Sequence, residues 1–187
     1  MKLLLIIFSV LSSFFTNLEK KTLQSDFVVT MDEGPQGVSH YVGDVTMKGS
    51  SFLINMNENH AAFDGKIMYM YSPETDELTL TEPTKEELLE ANLFLFAKSL
   101  VKESTITEEE EKNGQQIKVV LVPNDKSLGV DQFILHIRTA DLMPLLLEVK
   151  EGAQMSSIQL NNSKFLNNPP KFVIEPEETT FVNDLRF

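Results

Sequence analysis

Few side chains in this sequence have the type and spacing that chemistry requires. The three histidines, His40, His60 and His136, stand alone, without the H-x-x-x-H spacing of a helical metal site. Alternating apolar and polar residues around His136 predict a solvated polar face for this side chain. The sequence contains no G-x-S-x-G elbow, no Walker-type glycine loop and no G-x-G-x-x-G fingerprint. We therefore expect no catalytic residue, no metal site and no cofactor.

The carboxylates also have structural explanations. Four successive glutamates, Glu108 to Glu111, would point to alternating faces of a strand and repel one another. A solvated sheet edge that discourages aggregation is therefore our interpretation, in preference to a calcium site. Asp64 precedes Gly65, and the chemistry of a hairpin turn explains this pair without a catalytic acid. The sequence predicts a protein that is not an enzyme.

Composition excludes several further classes of protein. The 187 residues include 16 Lys and Arg against 28 Asp and Glu, a net charge of −12, and no cysteine. Because this surplus of negative charge repels phosphate groups, we expect no nucleic-acid partner. The lack of cysteine excludes disulfides, thiolate catalysis, zinc knuckles and a lipid anchor on a cysteine thiol. Length and a hydrophobic fraction of 42% predict one globular domain.

The first residues indicate export. One lysine precedes the apolar run Leu3 to Val10, and small residues follow. This pattern is typical of a secretory signal peptide and is too short for a membrane span. We predict a signal peptide at residues 1–16 and a single domain at residues 17–187. The alternative is that part of residues 1–16 is the first helix of the mature fold.

The elements that must position any site are mostly strands. Past residue 21, short runs with period-two alternation are separated by turn residues, one of these turns being at 57–59. They predict about eleven strands of an antiparallel sheet, the last at 171–174. Residues 83–100 predict a helix that Thr84 and Glu87 begin as a capping box. A second helix is predicted at residues 14–23.

Some of these elements are apolar on more than one side. The helix at 83–100 is apolar nearly all round its second half, so it must be covered on several sides. The strand segments 52–54, 67–71 and 145–147 are apolar on both faces. Such strands are either buried in a filled core, or they bury one face and line an apolar cavity with the other. Both interpretations are compatible with the residue pattern.

The segment Phe63-Asp64-Gly65-Lys66-Ile67-Met68-Tyr69-Met70-Tyr71 resembles the core motif of the LolA family, the periplasmic carriers of outer-membrane lipoproteins. The resemblance covers about residues 23–186. Further motifs that are similar to those of the family lie on both sides of this segment, in the family's order. These motifs are Ser25 to Phe27, Gly43 to Gly49 with Phe52, Glu82 to Asn92, Val120 to Lys126, and Val182 to Arg186.

The resemblance implies a mainly β fold with an α lid. The expected architecture is an unclosed (half) antiparallel β-barrel of about eleven strands, covered by two or three helices that enclose an apolar cavity. The implied function is that of a soluble, monomeric periplasmic carrier (chaperone) that shuttles lipoproteins from the inner to the outer membrane. Its implied partners are lipoprotein acyl chains, an inner-membrane ABC lipoprotein-release complex and an outer-membrane acceptor. The alternatives are a carrier of another lipid or glycolipid, and a secreted β-sheet interaction module with a filled core.

We expect the lipid-binding residues on the concave face and on the lid. One departure concerns Gly49, which stands where the best-known family members have an arginine that ties the lid shut. We therefore expect a different latch. The predicted lipid-binding residues are Phe27, Phe52, Ile54, Ile67, Tyr69, Leu89, Leu93 and Phe96.

Overall fold

A single twelve-stranded sheet organises the chain in the computed structural model, which describes residues 2–56 and 59–186. The turn predicted at 57–59 lies largely outside the described residues. The α-helices are α1 (Lys2–Lys20), α2 (Lys85–Ala91) and α3 (Leu93–Leu100). The strands are β1 (Thr22–Asp32), β2 (Val38–Lys48), β3 (Ser51–Met56), β4 (Asn59–Phe63), β5 (Met68–Ser72), β6 (Glu77–Thr81), β7 (Ser104–Glu111), β8 (Gln116–Pro123), β9 (Gln132–Arg138), β10 (Pro144–Glu151), β11 (Gln154–Leu166) and β12 (Phe181–Asp184).

The sheet consists of two meanders, β1–β6 and β7–β11, that meet at its centre, and β12 is added at the edge of β6. The strand order is β12-β6-β5-β4-β3-β2-β1-β11-β10-β9-β8-β7. Neighbouring strands are antiparallel, except that β12 runs parallel to β6. In the described part of the chain the edge strands β7 and β12 do not pair with each other. The predicted mainly β, unclosed half-barrel with a helical lid is confirmed.

The structure corrects three boundaries. The strand predicted at 171–174 does not form, and the last strand is β12, at Phe181–Asp184. Prolines 169, 170 and 176 flank the apolar run at 171–174, and proline has no N–H for a ladder. The helix predicted at 83–100 is two helices, which Asn92 separates. The helix predicted at 14–23 ends at Lys20, and β1 begins at Thr22.

The core lies between the concave face of the sheet and the helices. Across β2 to β5, Met47 pairs with Phe52, Phe52 with Phe63, and Phe63 with Met68. All four side chains are buried, which is the result of period-two alternation with the strands in this register. The sheet therefore presents a continuous apolar row to the helices.

Helix α1 contributes to the same core. Leu11, Phe14, Phe15 and Leu18 are buried, and the ring of Phe14 lies 6.0 Å from the ring of Phe94 in α3. Residues within the predicted signal peptide thus pack against the domain in this structure, and the cleavage site stays a prediction. Within the described residues, no helix is both long and apolar enough to span a bilayer.

Candidate functional site

The larger of two adjoining cavities lies between the helical lid and the concave face. Its volume is about 640 Å³, which falls in the usual range of small-molecule sites. Strands β1, β10 and β11 form its floor, and α2 and α3 form its cover. The lining residues are Val29, Met31, Asp32, Glu86, Leu89, Glu90, Leu93, Phe96, Leu128, Val130, Leu147, Val149, Glu151, Gln154, Ser156, Ser157 and Ile158.

The smaller cavity extends the larger one toward β2 and β3. It has a volume of about 250 Å³, and its lining is apolar except for Glu90 and Asn92. The two cavities share Val29, Glu90, Leu93, Leu147 and Ile158, so they adjoin across these residues. The other lining residues are Phe27, Val45, Met47, Phe52, Ile54, Met56, Ala91, Phe94 and Leu160.

Six of the eight predicted lipid-binding residues line these cavities. Phe27, Phe52 and Ile54 line the smaller cavity, Leu89 and Phe96 the larger one, and Leu93 both.

Ile67 and Tyr69 line neither cavity. Because Phe63 pairs with Met68, the concave face of β5 carries Met68, and its neighbours Ile67 and Tyr69 belong to the other face. The Tyr69 hydroxyl donates to the Asp64 carboxylate at 3.2 Å. Segment 67–71 is apolar on both faces, and the face predicted to line the cavity was the wrong one for Ile67 and Tyr69.

Of the floor strands β1, β10 and β11, the sequence predicted Phe27 alone as a lining residue. Val29 follows Phe27 on the same face of β1, so alternation along this strand could have identified it. Ile158 and Leu160 lie across from β1 on β11, where Val29 pairs with Ile158 and Phe27 with Leu160. This pairing joins residues far apart in sequence, and a local pattern does not reveal it.

The lid consists of α2 and α3. The Thr84 side chain accepts a hydrogen bond from the Glu87 N–H, and the Glu87 carboxylate accepts one from the Thr84 N–H at 2.7 Å, so the predicted capping box is present. This contact holds the pKa of Glu87 below its usual value. The ring of Phe96 packs edge-on at 6.0 Å from Phe133 on β9.

The helices are fixed to one another without the family's arginine. Lys98 of α3 forms an ion pair with Glu19 of α1. At the position expected for that arginine, the Gly49 N–H donates to the Leu18 carbonyl at the end of α1, at 2.8 Å. A backbone hydrogen bond and an ion pair thus connect α1 to the β2–β3 turn and to the lid.

The charged residues at the larger cavity are all acidic. Asp32, Glu86, Glu90 and Glu151 line it, and no lysine or arginine does so among the described residues. Met31 and Leu128, both partly exposed, lie beside them. A ligand that enters the larger cavity would therefore meet acidic side chains at the rim and an apolar interior.

The other titratable groups of residues 2–56 and 59–186 line neither cavity. His136, expected in solvent, is instead held between Glu111 at 3.1 Å and Glu148 at 2.9 Å, and its side chain is only 14% exposed. Among residues 2–56 and 59–186, no group of three or more His, Cys, Asp or Glu is arranged to hold a metal ion.

Similar folds occur among solved structures. An uncharacterized conserved protein from Thermus thermophilus has a TM-score of 0.63 and 15% sequence identity, over 94% of this chain and 97% of that chain. MucB has a TM-score of 0.50 and 13% identity, over 94% of this chain and 64% of its own. A LolA superfamily protein from Nitrosomonas europaea has a TM-score of 0.44 and 11% identity, over 90% of this chain and 97% of that chain.

The chain shares its fold with the Thermus thermophilus protein and with MucB. The unclosed sheet with its helical lid is also the architecture that the resemblance of the motifs to the LolA family implies. No family model matches the sequence, and no curated protein matches it. Because sequence identities this low show a fold only, the function of this chain must be argued from its cavities.

Proposed function

We propose that this chain is a non-enzymatic carrier that binds acyl chains in its two adjoining cavities. The observation that carries the proposal is the mainly apolar lining of both cavities, about 640 and 250 Å³, between the lid and the sheet. Burial of an acyl chain is worth about 0.8 kcal/mol per methylene, so binding needs apolar surface and no reactive group.

The construction of the lid supports uptake and release. Helices α2 and α3 are short, and Asn92 separates them. The lid is held by the contacts of Phe94 and Phe96 and by the exposed Lys98–Glu19 pair. Exposed ion pairs contribute little free energy, so opening the lid at this contact costs little.

We propose outer-membrane lipoproteins as the cargo and the periplasm as the compartment. In this scheme the chain receives a lipoprotein from an inner-membrane ABC release complex and passes it to an outer-membrane acceptor. The resemblance of the sequence motifs to the LolA family supports this cargo. A different lipid or glycolipid would use the same cavities.

Lipid extraction tests acyl-chain binding. The protein is produced with a periplasmic export signal, purified without detergent and extracted for mass spectrometry. We expect stoichiometric acyl lipid from the native chain and a large loss in Val29→Trp, because Val29 lines both cavities. Val42→Trp, on an exposed position of the neighbouring strand, is the matched control and should retain the lipid. A native chain that carries no lipid would support the interaction module with a filled core.

Depletion in the host cell tests the cargo. If lipoproteins are carried, fractionation should find outer-membrane lipoproteins retained in the inner membrane after depletion, and Val29→Trp should fail to restore their transport. Unchanged lipoprotein sorting, with acyl lipid still bound to the purified protein, would assign the carrier to another lipid.

A further inference from the structure

Asn92 carries a hydrogen-bond donor that the fold does not use. The residue lies between α2 and α3 and is 5% exposed. Its backbone N–H donates to the Leu88 carbonyl at 3.0 Å, and its carbonyl accepts from the Phe96 N–H at 2.9 Å. Its side-chain Oδ1 accepts from the Leu95 N–H at 3.0 Å, which makes Asn92 the N-cap of α3. Only Nδ2 has no hydrogen-bond partner, and it is buried from solvent.

The cap fixes the orientation of this amide. An N-cap must present an acceptor to the helix N–H groups, so Oδ1 faces Leu95 and Nδ2 is directed elsewhere. Aspartate would cap α3 equally well without adding a buried donor. Leaving such a donor without a partner costs free energy, so capping alone does not account for asparagine here.

The surroundings of Asn92 indicate the missing partner. Asn92 lines the smaller cavity, where Glu90 is the only other polar residue of the lining. A bare hydrocarbon chain offers no acceptor, and a free carboxylate would lie near the like charge of Glu90. The carbonyl oxygen of an ester or amide is a neutral acceptor attached to an acyl chain.

We propose that Asn92 Nδ2 donates a hydrogen bond to the carbonyl oxygen of an ester-linked or amide-linked acyl chain bound in the smaller cavity. This inference rests on the proposed acyl-chain binding and extends it: Asn92 recognises the linkage while the apolar walls hold the chain. The cavities then prefer an acylated molecule to a free hydrocarbon or a free fatty acid.

Competition against a fluorescent apolar dye tests the preference. The probes are methyl decanoate for the ester, N-methyldecanamide for the amide, and undecane as a chain of similar length without a carbonyl. Asn92→Asp and Asn92→Ser both retain an acceptor that caps α3. Aspartate has no donor, and the shorter serine side chain places its hydroxyl proton away from the position of Nδ2. We expect the native chain to bind the preferred carbonyl probe about tenfold more tightly than either variant does, with undecane affinity unchanged. The carbonyl probe that loses more affinity identifies the linkage.

Each other result has a separate meaning. Equal binding of the carbonyl probes by the native chain and both variants overturns the role of Asn92 and leaves the carrier intact. A parallel loss of undecane binding assigns Asn92 to the structure of the lid alone and also overturns it. A native chain that binds none of the three probes overturns the proposed function together with this inference.

A measurement on the native chain avoids the variants. In ¹⁵N-resolved NMR spectra, the Asn92 side-chain amide signals should shift when methyl decanoate or N-methyldecanamide binds and stay in place with undecane. Identical shifts with all three probes would contradict the hydrogen bond.

Discussion

Gly43 shows how one residue sets the shape of the smaller cavity. A Cβ at this position would lie 2.1 Å from the Asn55 carbonyl oxygen and 2.6 Å from Cζ of Phe27. Both distances are far below van der Waals contact, and the nearer atom belongs to the backbone of β3. The Phe27 ring therefore packs over a strand that has no side chain at that point.

We predict that Gly43→Ala destabilises the fold by about 2 kcal/mol or more, because a backbone atom cannot move aside as a side chain can. Urea unfolding of the variant measures this loss. Adding Phe27→Leu removes the contact with the ring but not the contact with Asn55, so it should recover only part of the stability. Full recovery would mean that the ring alone excludes a side chain at this position.

The partial burial of the Glu108 carboxyl makes the stability of the fold depend on pH. It lies half-buried on edge strand β7, its Oε1 has no hydrogen-bond partner, and burial raises its pKa above the usual value. The folded chain thus keeps this proton to a higher pH than the unfolded chain does. The contribution of neutral Glu108 to the free energy of unfolding is therefore present at low pH, and it is lost as the pH rises through the raised pKa.

We predict that Glu108→Gln removes this loss and raises the free energy of unfolding near pH 7 by up to about 1 kcal/mol, since partial exposure screens the charge. Near pH 4 the variant and the native chain should differ little. Glu109→Gln, an exposed neighbour on the other face of β7, is the control. Urea titrations at both pH values measure the difference, and a variant that is less stable near pH 7 would contradict the assignment.

At the scale of elements, α1, the lid and the β2–β3 turn form a connected unit. The Lys98–Glu19 pair joins α3 to α1, and the Gly49 N–H joins the turn to the last turn of α1. Both ends of the ion pair are about half exposed, so its contribution to global stability is small. Its effect should be on the opening of the lid.

We predict that Lys98→Glu lowers global stability by less than about 1 kcal/mol but speeds amide exchange in α3, because two carboxylates then face each other. Hydrogen exchange measures this opening. The charge swap Lys98→Glu with Glu19→Lys should restore native protection. Lys102→Glu, an exposed lysine beyond α3, should have little effect, and equal changes from Lys98→Glu and Lys102→Glu would show a general effect of charge.

The strands also show which parts of the fold and of the cavities could be predicted from the sequence. Period-two alternation bounded by turn residues predicts strands at Ser51–Met56 and Glu77–Thr81, and both strands form with these limits. For the same reason Phe27, on a strand where one face stands out, could be predicted as a lining residue, and it lines the smaller cavity. On β5 both faces are apolar, and only the pairing of Phe63 with Met68 decides which one is concave.

Tertiary partners account for the other failures. Strand β12 forms because β6 offers a free edge, and this is not visible in the local sequence around Phe181. The division of the lid at Asn92 depends on a side chain that caps α3 from within an apolar run. Hydrogen-bond partners on other strands, Glu111 and Glu148, explain the burial of His136 in the same way.

At the scale of the whole molecule, the net negative charge extends to the larger cavity. The net charge is −12, and four carboxylates with no lysine or arginine line the larger cavity among the described residues. The potential at the rim therefore repels anions and attracts cations. Anionic lipid headgroups are disfavoured there.

We predict that dodecyltrimethylammonium binds below its micellar concentration about fivefold more tightly than dodecyl sulfate at low salt. The difference should shrink at high ionic strength and in the double variant Glu86→Gln, Glu151→Gln. The control is Glu175→Gln with Glu178→Gln, two exposed residues outside the cavity lining. Calorimetric titration measures both affinities, and tighter binding of the sulfate would contradict a role for the rim.

The central pairing of β1 with β11 also dictates an order of events in folding. Within β1–β6 and within β7–β11, consecutive strands pair across short loops, whereas the seam joins Ser25 to Asn161, 136 positions apart. Distant pairings are entropically costly and form slowly, so the two meanders should be complete before the seam closes. Val29 meets Ile158 and Phe27 meets Leu160 across this seam, so the cavities come into existence only at the final step. Until then both halves expose apolar strands, and this half-assembled species is the one prone to aggregate during synthesis.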